Sequence, residues 1–241
     1  MCGRFAQSRL VADLVEEFGI TGTSPESPLP ANWNIAPTGD IYIVRQDRDN
    51  SRSLATASWG IIAPWQKTFD AARTSQSHAI NARSESVHEK PTFRDAFRKR
   101  RCLIPADGYY EWATALGDYP PKQPFFISSA TKRALPLAGI WSTWISDEGH
   151  EIESAAIITR EAVAGLATIH SRMPVVMPPE RWSSWLDPGA TSVPELLELM
   201  ELEDPAADLI FHPVSRNVNS AANSGPTLTE PIELGAPETL F

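Results

Sequence analysis

The stretch from residue 101 to residue 159 constrains the fold most. It breaks into apolar runs at 101–104, 108–112, 124–128, 135–144 and 153–159, with Gly, Pro and Asp at the breaks. Short runs carrying Ile, Phe, Tyr and Trp read as strands, and the breaks read as turns. Upstream, 41–45 and 53–60 read the same way around a polar turn at 46–52. Residues 9–18 predict a helix with Leu10, Leu14 and Phe18 on one face, Val11 and Val15 beside them, Ser8 as N-cap and Gly19 as stop. Thr92 with Asp95 opens a short helix through Phe97, and 162–167, 179–186 and 193–200 read as helical. Two further strands are expected at 175–177 and 210–216, and polar loops at 21–30 and 68–77. No internal repeat or long linker divides the chain. The expectation is an α+β single domain over residues 2–222: a curved, mostly antiparallel β-sheet with a barrel-like core and peripheral helices, then a polar tail at 223–241.

Composition narrows the function classes. Of 241 residues, 42% are hydrophobic, enough for a substantial core. The formal charge of -9 disfavours general nucleic-acid affinity, but it is uneven. Arg94, Arg98, Lys99, Arg100 and Arg101 cluster, while acid gathers from Glu195 to Asp208, so a local basic cleft stays open. Two cysteines do not make a disulfide framework. Cys102, in the run with Leu103 and Ile104, reads as a small buried hydrophobe. No Cys/His spacing suggests a zinc site. Trp65, Trp141 and Trp144 read as core packing. With no bilayer-length apolar run and no basic-then-apolar leader, the expectation is a cytoplasmic protein without a membrane partner.

Cys2 is the chemical opportunity. Removal of Met1 exposes a terminus with an α-amine and a thiol on adjacent carbons. The amine has a reference pKa of about 7.7–8.0 and the thiol one of about 8.5. The amine can attack an aldehyde to give a Schiff base. The thiol can then add to the imine and close a thiazolidine. Gly3 allows close backbone approach, Arg4 can hold an anion and Phe5 can anchor the segment in a core. Three further stretches combine polar residues with apolar neighbours and suggest a cleft: Ile80 to Glu85, Pro105 to Trp112, and Ile169 to Pro174. Taken singly, Asn81 could cap a turn, Glu111 could be a solvated acid and His170 a structural histidine.

In order along the chain, these stretches resemble the SRAP family, the SOS-response-associated, abasic-site-processing proteins. The likeness is carried by Cys2-Gly3-Arg4-Phe5, Asn81-Ala82-Arg83-Ser84-Glu85, Pro105-Ala106-Asp107-Gly108-Tyr109-Tyr110-Glu111-Trp112 and His170-Ser171-Arg172-Met173-Pro174. Asn34-Ile35-Ala36-Pro37-Thr38, Trp59-Gly60-Ile61-Ile62-Ala63-Pro64-Trp65 and Ala138-Gly139-Ile140-Trp141 match as well. The resemblance runs from Cys2 to about residue 220.

It implies a covalent thiazolidine between Cys2 and the ring-opened aldehyde of an abasic site in single-stranded DNA. On the matched positions, Cys2 is the nucleophile and Asn81 orients the sugar or the amine. Glu111 shuttles protons, and His170 helps open the deoxyribose. The resemblance further implies slow reversal involving Glu111, and a peptidase activity that removes residues ahead of the cysteine. Arg4, Arg83 and Arg172 match phosphate-contacting arginines. Trp112 can stack on a base, and Pro37 can wedge beside the gap. No cofactor is implied. The partner is single-stranded DNA with abasic sites, bound by a monomer that is nucleoid-associated when engaged. Two rivals stand beside this reading. One is an N-terminal-nucleophile cysteine glutamine amidohydrolase, disfavoured by the lack of a downstream asparagine-glycine oxyanion motif. The other is a non-catalytic DNA-binding module in which Cys2 is incidental.

Overall fold

A computed structural model describes residues 2–47, 49–114 and 119–234. In chain order the elements are β1 (Arg4–Gln7), α1 (Val11–Phe18), β2 (Asn32–Ile35), β3 (Asp40–Gln46), β4 (Arg52–Trp59), α2 (Phe69–Ser77), β5 (Asn81–Arg83) and α3 (Arg94–Lys99). Then follow β6 (Arg101–Ala106), β7 (Gly108–Trp112), β8 (Pro124–Ser129), β9 (Leu135–Ile145), β10 (Glu151–Glu161), β11 (Arg172–Pro174), α4 (Trp182–Leu186), α5 (Val193–Glu198) and β12 (Leu209–Pro213). The expected α+β class and barrel-like core are what the chain adopts. Strands β10, β4, β3, β6 and β9 pair in turn, and β9 pairs back onto β10, closing a ring. The second sheet has the order β12-β8-β7-β1-β2 and is antiparallel throughout.

Alternation decides what each barrel strand buries. Tyr42, Val44, Leu103, Ala138, Ile140, Ala156 and Ile158 face a core shared with α1, α3, α4 and α5. The intervening Ile41, Ile43, Cys102, Ile104, Ala155 and Ile157 face a second core shared with Cys2, Phe5, Tyr109, Phe125 and Ile127 of the other sheet. The chain passes from barrel to sheet at Asp107, between β6 and β7. Gly108 is required there, because a Cβ would lie 2.4 Å from the Phe126 ring and 2.5 Å from the Ile127 carbonyl oxygen.

Several local expectations are corrected. The first helix starts at Val11 without a side-chain cap. Ser8 instead binds Asp107 Oδ2 through its amide at 2.6 Å and its hydroxyl at 2.7 Å. Gly19 does end α1, in the left-handed region at φ 60. Residues 68–77 are not a loop: Thr68 caps α2, its hydroxyl accepting from the Ala71 amide at 3.3 Å. α2 escapes a hydrophobic reading because only Ala72 and Gln76 are buried. The strand expected at 175–177 lies earlier, as β11, and the helix expected at 162–167 is a 3-10 turn over Ala164–Thr168. Trp144 is core, but Trp65 is 54% exposed. Beyond Asn223, Leu228 is buried and the Ile232 amide donates to the Pro213 carbonyl at 2.9 Å.

Candidate active site

Cys2 stands two residues before the first residue of β1, which lies between β7 and β2, with Arg4 and Phe5 opposite Tyr110 and Tyr109. Phe5 anchors this strand. It meets Trp59 edge-on, ring centroids 4.8 Å apart, an arrangement worth about 0.5–1.5 kcal/mol beyond burial. The Trp59 indole in turn donates to the Ile80 carbonyl at 3.1 Å. Trp59 thus braces the N-terminal strand against the residue before Asn81. Asn81 opens β5, which runs parallel to β10 with Asn81 opposite Ile157. Its Nδ2 donates to the Cys2 carbonyl at 2.7 Å. Its Oδ1 is buried with no hydrogen-bond partner among the described residues, which leaves a fixed acceptor beside Cys2.

Glu111, on β7, is 4% exposed. Burial pushes its carboxyl up to about 7, the range that suits proton transfer in both directions near neutrality. His170 Nδ1 lies 3.9 Å from Glu111 Oε1. The Arg172 amide donates to that Nδ1 at 3.0 Å in the tautomer with its proton on Nε2, and the same nitrogen lies 3.3 Å from the Arg172 carbonyl oxygen, to which it donates in the other tautomer. Burial lowers the His170 pKa, favouring the neutral ring. The Cys2 thiol is fully buried and held protonated, chiefly by desolvation and secondarily by the Glu111 charge. Four segments distant in sequence therefore meet: the residues before β1, the start of β5, β7, and the turn before β11.

The expected DNA-contacting residues differ in how their polar groups are used. Arg4 Nη1 donates to Asn34 Oδ1 at 2.8 Å and to the Val218 carbonyl at 3.0 Å, while its Nε is buried without a hydrogen-bond partner among the described residues. Arg83 is exposed at the end of β5. Arg172 is engaged: Nη1 and Nη2 grip Glu85 at 2.6 and 3.0 Å, and Nη2 also reaches the Thr159 carbonyl at 2.7 Å. The half-exposed Trp112 indole donates to Asn219 Oδ1 at 2.7 Å. Pro37 sits in a turn closed by the Gly39 amide on the Ala36 carbonyl at 3.1 Å. Thr38 follows it at φ 69, a left-handed geometry that costs a β-branched residue about 1–3 kcal/mol.

Four residues of consequence were given no role, or a different one, by the sequence reading. Asn34 is 2% exposed, and its Nδ2 faces the carbonyls of Val218, Ser220 and Asn223 at 3.3, 2.9 and 2.8 Å. It ties Arg4 to the loop that carries the partner of Trp112. The signal was an amide between Trp33 and Ile35 in a strand. Glu85 was quoted without a role. Trp65, in the turn before α2, and Phe69, the first residue of α2, are 54% and 46% exposed.

Among the described residues, no group of three or more His, Cys, Asp or Glu could hold a metal ion. No helix is long and apolar enough to cross a membrane. A family model described as SOS response associated peptidase (SRAP) matches residues 1–221. The abasic site processing protein YoqW of Bacillus subtilis (strain 168) is 35% identical over 230 residues, covering 95% of this chain and 99% of the relative. The abasic site processing protein HMCES of Rattus norvegicus is 34% identical over 216 residues, covering 78% of this chain and 60% of the relative. A solved protein from Bacteroides thetaiotaomicron shares the fold with a TM-score of 0.83 at 24% identity, over 96% of this chain and 100% of its own. Another, from Bordetella bronchiseptica, has a TM-score of 0.72 at 27% identity, over 89% and 100%.

Proposed function

The chain belongs to the SOS response associated peptidase (SRAP) family, and from that premise we propose that it processes abasic sites in single-stranded DNA through a Cys2 thiazolidine. The meeting of Asn81 with the Cys2 carbonyl at 2.7 Å, beside a Glu111–His170 pair at 3.9 Å, carries the reading. After Met1 is removed, the sugar hemiacetal opens: the anomeric hydroxyl gives its proton to the Glu111 carboxylate, and the ring oxygen takes one from the imidazolium form of His170, which is left as the neutral ring. The Cys2 amine adds to the aldehyde. The carbinolamine hydroxyl leaves as water, with a proton from Glu111, and a protonated imine (iminium) remains. The thiol adds to the imine carbon, its proton returns to Glu111, and the five-membered ring is closed. The net change is aldehyde plus aminothiol to thiazolidine plus water.

A carboxyl near 7 supports both steps asked of Glu111, and the same group serves reversal. Burial of the thiol favours addition with concerted proton loss over a free thiolate. Arg4, Arg83 and Arg172 hold phosphates, Trp112 stacks and Pro37 wedges, so an acidic monomer binds through one local basic groove. Removal of Met1 by the same site is the peptidase part of the proposal. An intact-mass measurement should show the chain lacking Met1. Incubation with single-stranded DNA bearing one abasic site should yield a heat-resistant shifted band on a denaturing gel. Cys2→Ala should lose the band and keep DNA binding. A band that survives in Cys2→Ala refutes the nucleophile, and glutamine hydrolysis without a band favours an amidohydrolase.

A further inference from the structure

Glu85 and Arg172 form a contact that the proposed chemistry does not use. Both lie beside Thr159 on β10. Arg83 is opposite Thr159 on β5, which ends two residues before Glu85. On the β11 side, the Arg172 guanidinium reaches the Thr159 carbonyl at 2.7 Å. The Ser84 amide donates to the same carbonyl at 2.8 Å, fixing the chain that leads to Glu85. The carboxylate then takes both prongs of Arg172, at 2.6 and 3.0 Å. The Arg172 side chain is 13% exposed and that of Glu85 is 51% exposed, so the anion is the solvent-facing partner and the cation lies beneath it. The hydrogen bonds from Arg172, and more weakly the Arg83 charge, hold the Glu85 carboxyl below its ordinary range. A planar anion with two oxygens on one arginine fork and a second arginine nearby reproduces how a DNA phosphate is held.

We propose that Glu85 is an internal stand-in for a DNA phosphate, occupying Arg172 until a strand positioned by the rest of the groove displaces it. The inference rests on the reading that Arg172 faces phosphate. In the free protein the pair is neutral and recruits no polyanion. When a phosphate takes the fork, Glu85 is released to solvent and gathers a cation, which offsets the ion the phosphate gives up. The gate thus weakens attraction to undamaged strands and leaves selection to contacts at the lesion.

The test is fluorescence anisotropy of an undamaged oligo-dT, titrated with the full chain from 50 to 200 mM salt. Glu85→Gln should bind roughly three- to tenfold more tightly at the low-salt end. Its log K against log salt should steepen by about 0.7, the value for one more single-strand phosphate contact. Glu85→Ala should move the same way, guarding against an effect peculiar to the amide. Adding Arg172→Gln to Glu85→Gln should abolish the gain. Equal or weaker binding by both Glu85 variants overturns the gate, as does a gain that persists without Arg172. The denaturing gel with abasic DNA, run on the same preparations, judges the crosslinking reading separately. A band without the anisotropy gain sinks the gate alone, and the gain without a band sinks the crosslink alone.

Discussion

Two buried regions rich in arginine use their polar groups in opposite ways. At the junction of α3, α4 and β6, Arg101 is 3% exposed and spends its fork on main-chain carbonyls: Trp185 at 2.7 Å, Phe97 at 2.9 Å, and Asp187. Its pKa is pushed down to about 10 by burial, and it stacks near the Trp185 ring at 5.8 Å. That arginine is a clamp across helix ends. Around Cys2, in contrast, satisfaction is incomplete: Arg4 Nε and Asn81 Oδ1 are buried without hydrogen-bond partners among the described residues. Glu111 is displaced toward 7, and Thr38 stands at φ 69. Polar capacity left unfilled beside Cys2 is open to a ligand, whereas the structural clamp is complete in the free protein.

The contrast breaks most visibly at Glu111. Glu111→Gln should slow thiazolidine formation by about 100-fold or more, measured as single-turnover band formation on abasic DNA. The same variant should be the more stable protein at alkaline pH. The folded-state value near 7 lies above the ordinary 4.5. The stability this group contributes is therefore whole below about pH 4.5 and is lost as pH rises through 7. Urea titrations should show wild type losing on the order of 2 kcal/mol, relative to Glu111→Gln, between pH 5 and 8. A constant difference across that range would mean that Glu111 is not held protonated by burial.

A smaller but still large effect belongs to the clamp. Arg101→Ala takes this donor from the buried carbonyls of Trp185 and Phe97, and one of two donors from that of Asp187, and should cost about 3 kcal/mol or more in urea-induced unfolding. The salt slope for DNA should stay unchanged in the folded fraction. A flattened slope would place Arg101 in the groove and erase the distinction. Arg4→Ala should do the converse. We expect about tenfold weaker binding to single-stranded DNA and a slope shallower by about 0.7, both read by anisotropy. Unchanged binding would make Arg4 a second clamp.

The strands from β6 to β10 were legible because apolar alternation and turn residues there agree. The barrel's closure was not, since the parallel pairing of β10 with β4 and β5 joins segments with no shared local pattern. The helix α2 hid behind a polar composition, and Ser8 misled because its hydroxyl found Asp107 across the fold. Cys2 announced its own chemistry, while Asn81, Glu111 and His170 were singled out by likeness to a family. The five residues Arg94, Arg98, Lys99, Arg100 and Arg101 looked like one patch, yet Arg101 is core while Arg98 and Lys99 are exposed. Charge density along a chain does not reveal which guanidinium meets carbonyls. Asn34 and Glu85 act through residues far away in sequence or across a strand, so neighbouring letters gave them no role.

β5 and β11 hang from opposite edges of β10, meeting it at Thr159. Asn81 and Arg172 consequently share one rigid chassis, and a flexing of β10 carries both together. Glu111 rides on the other sheet. Any shift of one sheet against the other would therefore change the distance from Glu111 to Asn81 and Arg172 together, because both of these hang from β10.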